Sequence, residues 1–251
     1  MSSSIDISEE AGVRYLHFGS EWVQGAMRIR RPIDLELAYT REMMAGLLLR
    51  DSARWPRRIL LIGLGAASLS KFCYWKLPQS TQQVVEINPG VVAAARQFFK
   101  LPEEDARLSI KIDDGADFIC KKGPLYDYIL VDGYDENARV GALDTLPFYQ
   151  ACHARLTESG LLSVNLFGRS RRYGPSLQRI SEAFDQRSLA FPSCESGNVV
   201  AFAARGEAID IDAASLQARV LALRSETGLD LRATLKRLQQ SSLLSEGRLR
   251  L

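Results

Sequence analysis

Four strand-like stretches of this chain each stop at a residue that could do chemistry. Ile59-Leu60-Leu61-Ile62 runs into Gly63-Leu64-Gly65, and Val84-Val85 runs into Glu86, about 20 residues beyond the glycines. Leu108–Ile112 runs into Asp113-Asp114-Gly115, and Tyr126–Val131 runs into Asp132, with Asp135 just beyond. Glycines at a strand end let the backbone turn sharply and let a ligand approach where a Cβ would clash. An acid at the end of the next strand, at this spacing, is placed to accept hydrogen bonds from the two hydroxyls of a ribose. The pattern points to a nucleoside-bearing ligand lying across the carboxyl ends of parallel strands. Each acid also has a plainer use as a helix N-cap. Asp114 is the most open to it, because Gly115-Ala116-Asp117-Phe118 starts a helix. One such strand end would decide nothing; four in succession make a constellation.

Bringing four strand ends to one edge asks for a particular fold. The apolar run 59–62 suits a strand buried on both faces, as in a parallel sheet. Strands and helices then alternate: strand 59–64, helix 67–75, strand 83–87, helix 89–99, strands 108–112 and 126–131, helix 145–156, strand 160–166 and helix 175–183. Two late strands follow at 188–191 and 198–204, joined by a turn around Glu195-Ser196-Gly197. The alternation predicts an α/β fold, a doubly wound, mostly parallel seven-stranded sheet whose last strand is antiparallel. Ahead of it, 1–12 reads as loose, 13–18 and 26–30 as a small N-terminal β-hairpin, and 35–49 as one helix with a broad apolar face. Residues 213–224 and 230–240 read as amphipathic helices packed on the sheet. The expected organisation is a hairpin and helix over 1–54, a Rossmann-like domain over 55–240, and a tail over 241–251, polar and basic enough to fray.

Composition narrows the partners. A formal net charge of +2 is too small to imply a polyanion, and the clusters Arg28-Ile29-Arg30-Arg31 and Arg169-Ser170-Arg171-Arg172 are short enough to be solvated faces. No aromatic RNA-binding signature accompanies them, so no nucleic-acid partner is expected. Cys73, Cys120, Cys152 and Cys194 form no C-x-x-C pair, and His17 and His153 give no zinc spacing, so no metal is expected. Scattered thiols in a chain this long fit a reducing cytoplasm. The N-terminus lacks the basic and apolar regions of a signal peptide, and no run of 18 apolar residues offers a membrane span.

Read together, the motifs resemble the spermidine synthase-like family, the polyamine aminopropyltransferases, over about residues 13 to 205. The resemblance rests on Gln24, Leu35-x-x-x-Tyr39-x-x-Glu42-Met43-Met44, Gly63-Leu64-Gly65 and Val85-Glu86-Ile87-Asn88-Pro89. It continues through Phe98-Phe99, Asp114-Gly115-Ala116-Asp117-Phe118, Tyr126-Asp127, Asp132-Gly133-Tyr134-Asp135 and Phe148-Tyr149. Order and spacing together are specific, where no one piece is. The resemblance implies the Rossmann fold of class I S-adenosylmethionine methyltransferases. It implies transfer of an aminopropyl group from decarboxylated S-adenosylmethionine, a co-substrate rather than a tightly bound cofactor, to a diamine such as putrescine. By carry-over Glu86 would hold the ribose hydroxyls, and Asp114, with Gly115, would meet the adenine. The Gly63–Gly65 turn would leave room for the thioether chain. Asp132 would be the catalytic base, Asp135 a clamp for the acceptor amine, and Tyr134 a lining residue between them. Gln24 would help enclose the substrate, and the family commonly forms homodimers.

Three departures keep other readings open. The family's glycine loop carries an aspartate for the donor's amine where this chain has Ala66, so an aspartate restored there is expected to tighten decarboxylated donor. The proline-stiffened amine loop is replaced by Asp132-Gly133-Tyr134-Asp135-Glu136-Asn137-Ala138-Arg139. Tyr39-Thr40-Arg41-Glu42 holds an extra residue and a positive charge, and Arg41 or Arg139 in the pocket would repel a polyamine. The alternatives are another S-adenosylmethionine-dependent transferase, such as a methyltransferase, and a non-catalytic nucleoside-binding paralogue. Against the methyltransferase stands Leu61, at the place where such enzymes carry an acid.

Overall fold

The computed structural model describes residues 4–19, 22–50, 55–133, 141–167, 173–194 and 197–251. Strands β1 (Ile5–Glu10), β2 (Val13–Phe18) and β3 (Gly25–Arg28) form an antiparallel sheet of their own. The predicted hairpin is therefore three strands, and the segment expected to be loose is its first strand, paired from Ile5 against Phe18 to Glu10 against Val13. The burial pattern shows why composition misled: β1 keeps its acids exposed and sets only Ile5 and Ile7 partly inside. The expected helix over 35–49 splits into a short α1 (Ala38–Met43) and a 3-10 turn (Met44–Leu48). That turn wraps the buried ring of Tyr128, whose hydroxyl donates to the Met43 carbonyl. A Cβ on Gly46 would lie 2.3 Å from the same hydroxyl, so the tighter helix depends on a glycine there.

The main sheet has the order β6-β5-β4-β7-β8-β10-β9. Its strands are β4 (Arg58–Ile62), β5 (Thr81–Glu86), β6 (Leu108–Ile112), β7 (Tyr126–Val131), β8 (Leu156–Phe167), β9 (Ser188–Ala190) and β10 (Asn198–Ala204). The first five named run parallel to one another, and β10 runs antiparallel to both β8 and β9. Its central strand, β4, shows how the apolar run is used. Ile59 and Leu61 enter one core with α2 (Ser68–Lys76), α3 (Pro89–Phe98) and α7 (Ala213–Thr227). Leu60 and Ile62 enter a second core with α4 (Gly115–Cys120), α5 (Leu146–Ala154) and α6 (Tyr173–Ala183). Alternate residues bury on opposite faces, so a doubly covered strand must be apolar throughout.

Two further expectations change. Strand β8 starts at Leu156, not 160, and absorbs the difference in a register shift: Tyr126 faces Leu156 but Tyr128 faces Leu161. Residues 241–251, expected to fray, form a 3-10 turn (Ser242–Gly247) and strand β12 (Arg248–Arg250), which pairs antiparallel with β11 (Asp210–Asp212). Leu249 is fully buried there, so one apolar side chain in a basic tail anchors it. Helix α8 (Arg232–Gln239) ties the same region to α1 through an ion pair between Arg237 and the buried Glu42. Among the described residues no helix is long and apolar enough to cross a membrane.

Candidate functional site

The sheet order places the ends of β6, β5, β4 and β7 side by side, and direct contacts join them. Gly63 has φ +95°, and a Cβ built on it would lie 2.3 Å from the carbonyl oxygen of Asp132. Only glycine fits a left-handed turn against another backbone at that distance. Gly65, with φ +51°, lies under the N-terminal sheet: its missing Cβ would stand 3.3 Å from the carbonyl oxygen of Gln24. The strand-end glycines thus meet both Asp132 and the Gln24 segment that sequence placed over them.

Glu86 is buried, and both its oxygens take main-chain donors. Leu64 N–H donates to Oε2 at 2.8 Å and Asn88 N–H to Oε1 at 2.9 Å. Burial pushes its carboxyl above the usual range, and backbone N–H groups of Asn88, Leu64 and Ile87 oppose that. The acid therefore braces the glycine loop as well as ending β5. A carboxylate has about four acceptor directions, so two main-chain bonds leave capacity for a diol. Beside it Ile87 is 65% exposed and Ile112 is 47% exposed, an apolar surface that suits the face of a base.

Asp114 caps α4: its Oδ1 accepts from Ala116 N–H at 2.7 Å and Asp117 N–H at 3.3 Å. The plainer reading of this acid is thus realised through Oδ1. Gly115 answers to packing, since a Cβ there would fall 2.4 Å from Cγ2 of Ile62.

Asp132 is held differently. Its Oδ1 accepts from Asn165 Nδ2 at 2.8 Å, and Tyr39 of α1 favours its ionised form. Burial raises its carboxyl above the ordinary range, and the bonds from Asn165 and Tyr39 pull it back. The residue as a whole is nonetheless partly exposed at the strand end. Asn165 in turn accepts at Oδ1 from Asn198 Nδ2, at 2.9 Å. Asn165 and Asn198 were not singled out from sequence, and Tyr39 and Ile87 only as parts of motifs. The signal for Asn165 was present: a carboxamide inside the apolar run Leu161–Leu166 needs a partner, because an unpaired buried amide is costly.

Two expectations about the pocket are overturned. Arg41 does not face Asp132. Its Nη1 donates to the carbonyls of Leu35 and Glu36, and it lines a separate groove of about 710 Å³ with Arg28, Phe72 and Lys76. Ala66 does not line an open cleft. It is 2% exposed and packs with Leu16, Met27 and Phe99, and a Cβ on Gly25 would lie 2.6 Å from its own Cβ. An aspartate at 66 would enter that apolar layer rather than meet a donor's amine. Tyr134, Asp135 and Arg139, and the cluster at 169–172, lie outside the described residues. In the other basic cluster Arg28 pairs with Glu36 and Arg31 with Asp34, as a solvated face would.

Comparison with known proteins bears on this geometry. The model of the Spermine/spermidine synthase domain matches residues 36–166. The chain is 37% identical to the polyamine aminopropyltransferase of Chromobacterium violaceum over 98% of its own length and 93% of that protein's. Among solved structures it resembles a probable spermidine synthase from Corynebacterium glutamicum, with TM-score 0.71 and 19% identity over 91% of this chain and 92% of that one. It also resembles human methyltransferase-like protein 13 in complex with SAH, with TM-score 0.66 and 25% identity over 80% of this chain and 93% of that one.

Proposed function

The chain belongs to the spermine/spermidine synthase family, and we propose that its cleft moves an aminopropyl group from decarboxylated S-adenosylmethionine to a diamine such as putrescine, releasing methylthioadenosine. Glu86 takes the ribose hydroxyls, the exposed faces of Ile87 and Ile112 bear on the adenine, and Asp114 Oδ2 meets the adenine amino group. The Gly63–Gly65 turn lets the thioether chain pass toward Asp132. Asp132 takes a proton from the acceptor's ammonium, and the freed nitrogen attacks the propyl carbon next to sulfur. A C–N bond forms, the C–S bond breaks, and its electron pair leaves on sulfur as a neutral thioether. Gln24, Tyr134 and Asp135 enclose and hold the amine. The observation that carries the reading is Asp132 itself: an acid at the strand end beside Gly63, its basicity raised by burial and its Oδ1 held by the Asn165 amide.

Burial of Ala66 favours one second reading. The donor's tail finds no acid in the glycine loop, and a relative at 25% identity is solved with SAH. Methyl transfer from intact S-adenosylmethionine would fit the same nucleoside corner. Calorimetric titration with methylthioadenosine and with decarboxylated and intact donor, run beside an assay for diamine consumption, separates the two. Tighter decarboxylated donor together with putrescine consumption is the expected result. Far tighter intact donor with no diamine consumed would hand the site to methyl transfer. The reading also carries a homodimer working in the cytoplasm, and light scattering tests the dimer.

A further inference from the structure

Asp132, Asn165 and Asn198 form a row across three neighbouring strands. Val131 faces Val164 in the parallel pairing of β7 and β8, which sets Asp132 beside Asn165. Asn165 faces Val200 in the antiparallel pairing of β8 and β10, which sets Asn198 two residues away on the same face. The distances are 2.8 Å from Asn165 Nδ2 to Asp132 Oδ1 and 2.9 Å from Asn198 Nδ2 to Asn165 Oδ1.

A carboxamide has two ends of nearly equal shape, one that donates and one that accepts. The oxygen of Asn165 receives the Asn198 N–H, an arrangement that keeps its amino end toward Asp132. We propose that Asn198 is a positioning residue for the transfer, acting through Asn165 to keep an N–H donor on Asp132 Oδ1. The proposal rests on the reading of Asp132 as the base.

The consequence is chemical as well as geometric. A donor on Oδ1 favours the ionised carboxylate, the form that can take a proton, where burial favours the neutral acid. Asn165 is 3% exposed, so water does not readily replace a lost partner. Among the described residues, the titratable side chain that acts on Asp132 is Tyr39 from α1, while β8 contributes Asn165 and β4 presents the main chain of Ile62 and Gly63. The acid's titration should therefore report directly on what Asn165 presents to it.

Asn198→Asp makes the sharpest test. The new carboxylate accepts from the amino end of Asn165, turns the amide over and sets its oxygen against Asp132. Two readouts are taken: the Asp132 carboxyl titration by carbon-13 NMR, and the pH–rate profile of diamine consumption. Asn198→Asp should raise the Asp132 midpoint by about one to two pH units and carry the acidic limb of the rate with it. Asn198→Ala, which removes that N–H without inverting the amide, should raise the midpoint by less. In an Asn165→Ala background, Asn198→Asp should lose most of its effect. An equal shift with and without Asn165 would mean that the new charge acts through space, and the relay would be wrong. Lower melting temperatures in both Asn198 variants with an unmoved Asp132 midpoint would make the pair merely structural and overturn the proposal. The NMR titration needs no turnover. If the wild-type protein consumes no diamine yet the midpoint shifts as expected, the transfer reading fails and the positioning stands.

Discussion

The two acids of the cleft sit at strand ends on either side of β4 and are held by opposite means. Glu86 is gripped by main-chain N–H groups from the glycine loop and from the residue after its own strand. Asp132 is gripped by a side chain from β8, with Tyr39 of α1 favouring its charged form. Any sequence that makes this turn supplies main-chain donors, so Glu86 is fixed by the fold. Asp132 is fixed by residue choice, and its basicity can be set without rebuilding the sheet. A binding acid needs a constant position, whereas a proton-accepting acid needs a tuned environment.

Substitution at the tuned end should have the largest effect. Asp132→Asn keeps shape and removes the base, so turnover should fall by about a hundred- to ten-thousandfold while methylthioadenosine binds as before. Equal losses in turnover and nucleoside affinity would show that Asp132 belongs to the donor site instead. Next in size is a change in the roof over the glycines. Ala66→Asp buries a carboxylate among Leu16, Met27 and Phe99, against Gly25. It should cost roughly 3 kcal/mol or more of stability, measured by urea unfolding, with no gain in affinity for decarboxylated donor. A stable variant with tightened donor would restore the family's amine contact and overturn this account of position 66.

At the fixed end, Glu86→Gln keeps one acceptor oxygen but points an amino group at a main-chain N–H of Leu64 or Asn88. It should lower the melting temperature and weaken methylthioadenosine about ten- to a hundredfold, roughly 1.5–3 kcal/mol. A lower melting temperature with unchanged nucleoside affinity would reduce Glu86 to a brace for the loop.

The same contrast explains what could be read from sequence. Gly63, Gly65 and Glu86 lie within one strand–helix–strand unit, and their bonds follow from local spacing. The partners of Asp132 do not: Tyr39 lies far upstream, and Asn165 and Asn198 are far downstream, joined to it by strand order alone. Alternation revealed that the sheet was parallel, and the late segment 198–204 was legible as a strand, but register was not. Without register a polar residue in an apolar strand cannot be matched to its neighbour. The expected roles of Ala66 and Arg41 failed for a related reason. Motif position fixes where a residue sits on the chain, while the side chain's direction depends on the surface packed against it, here the N-terminal sheet and the carbonyls of Leu35 and Glu36.

A buried charge outside the cleft sharpens the comparison further. Lys71, on the helix that leaves the glycine loop, is 1% exposed and donates from Nζ to the Phe99 carbonyl at 2.8 Å. Burial pushes its ammonium down to about 7, with Lys100 adding to the fall. Like Glu86 it is tied to main chain, yet among the described residues no acid pairs with its charge. The sign follows from proton counting. Below about pH 7 both folded and unfolded chains hold the proton and the full cost of the buried charge is present. Between that value and the ordinary 10.5 only the unfolded chain holds it, so wild-type stability climbs with pH through this window. Lys71→Met removes the titration. It should stabilise the protein by about 1–2 kcal/mol at pH 6, and the advantage should shrink or reverse by pH 10, where the neutral amine still serves Phe99. Methylthioadenosine binding should not change at either pH. A gain independent of pH would show that the ammonium is solvated in the folded chain.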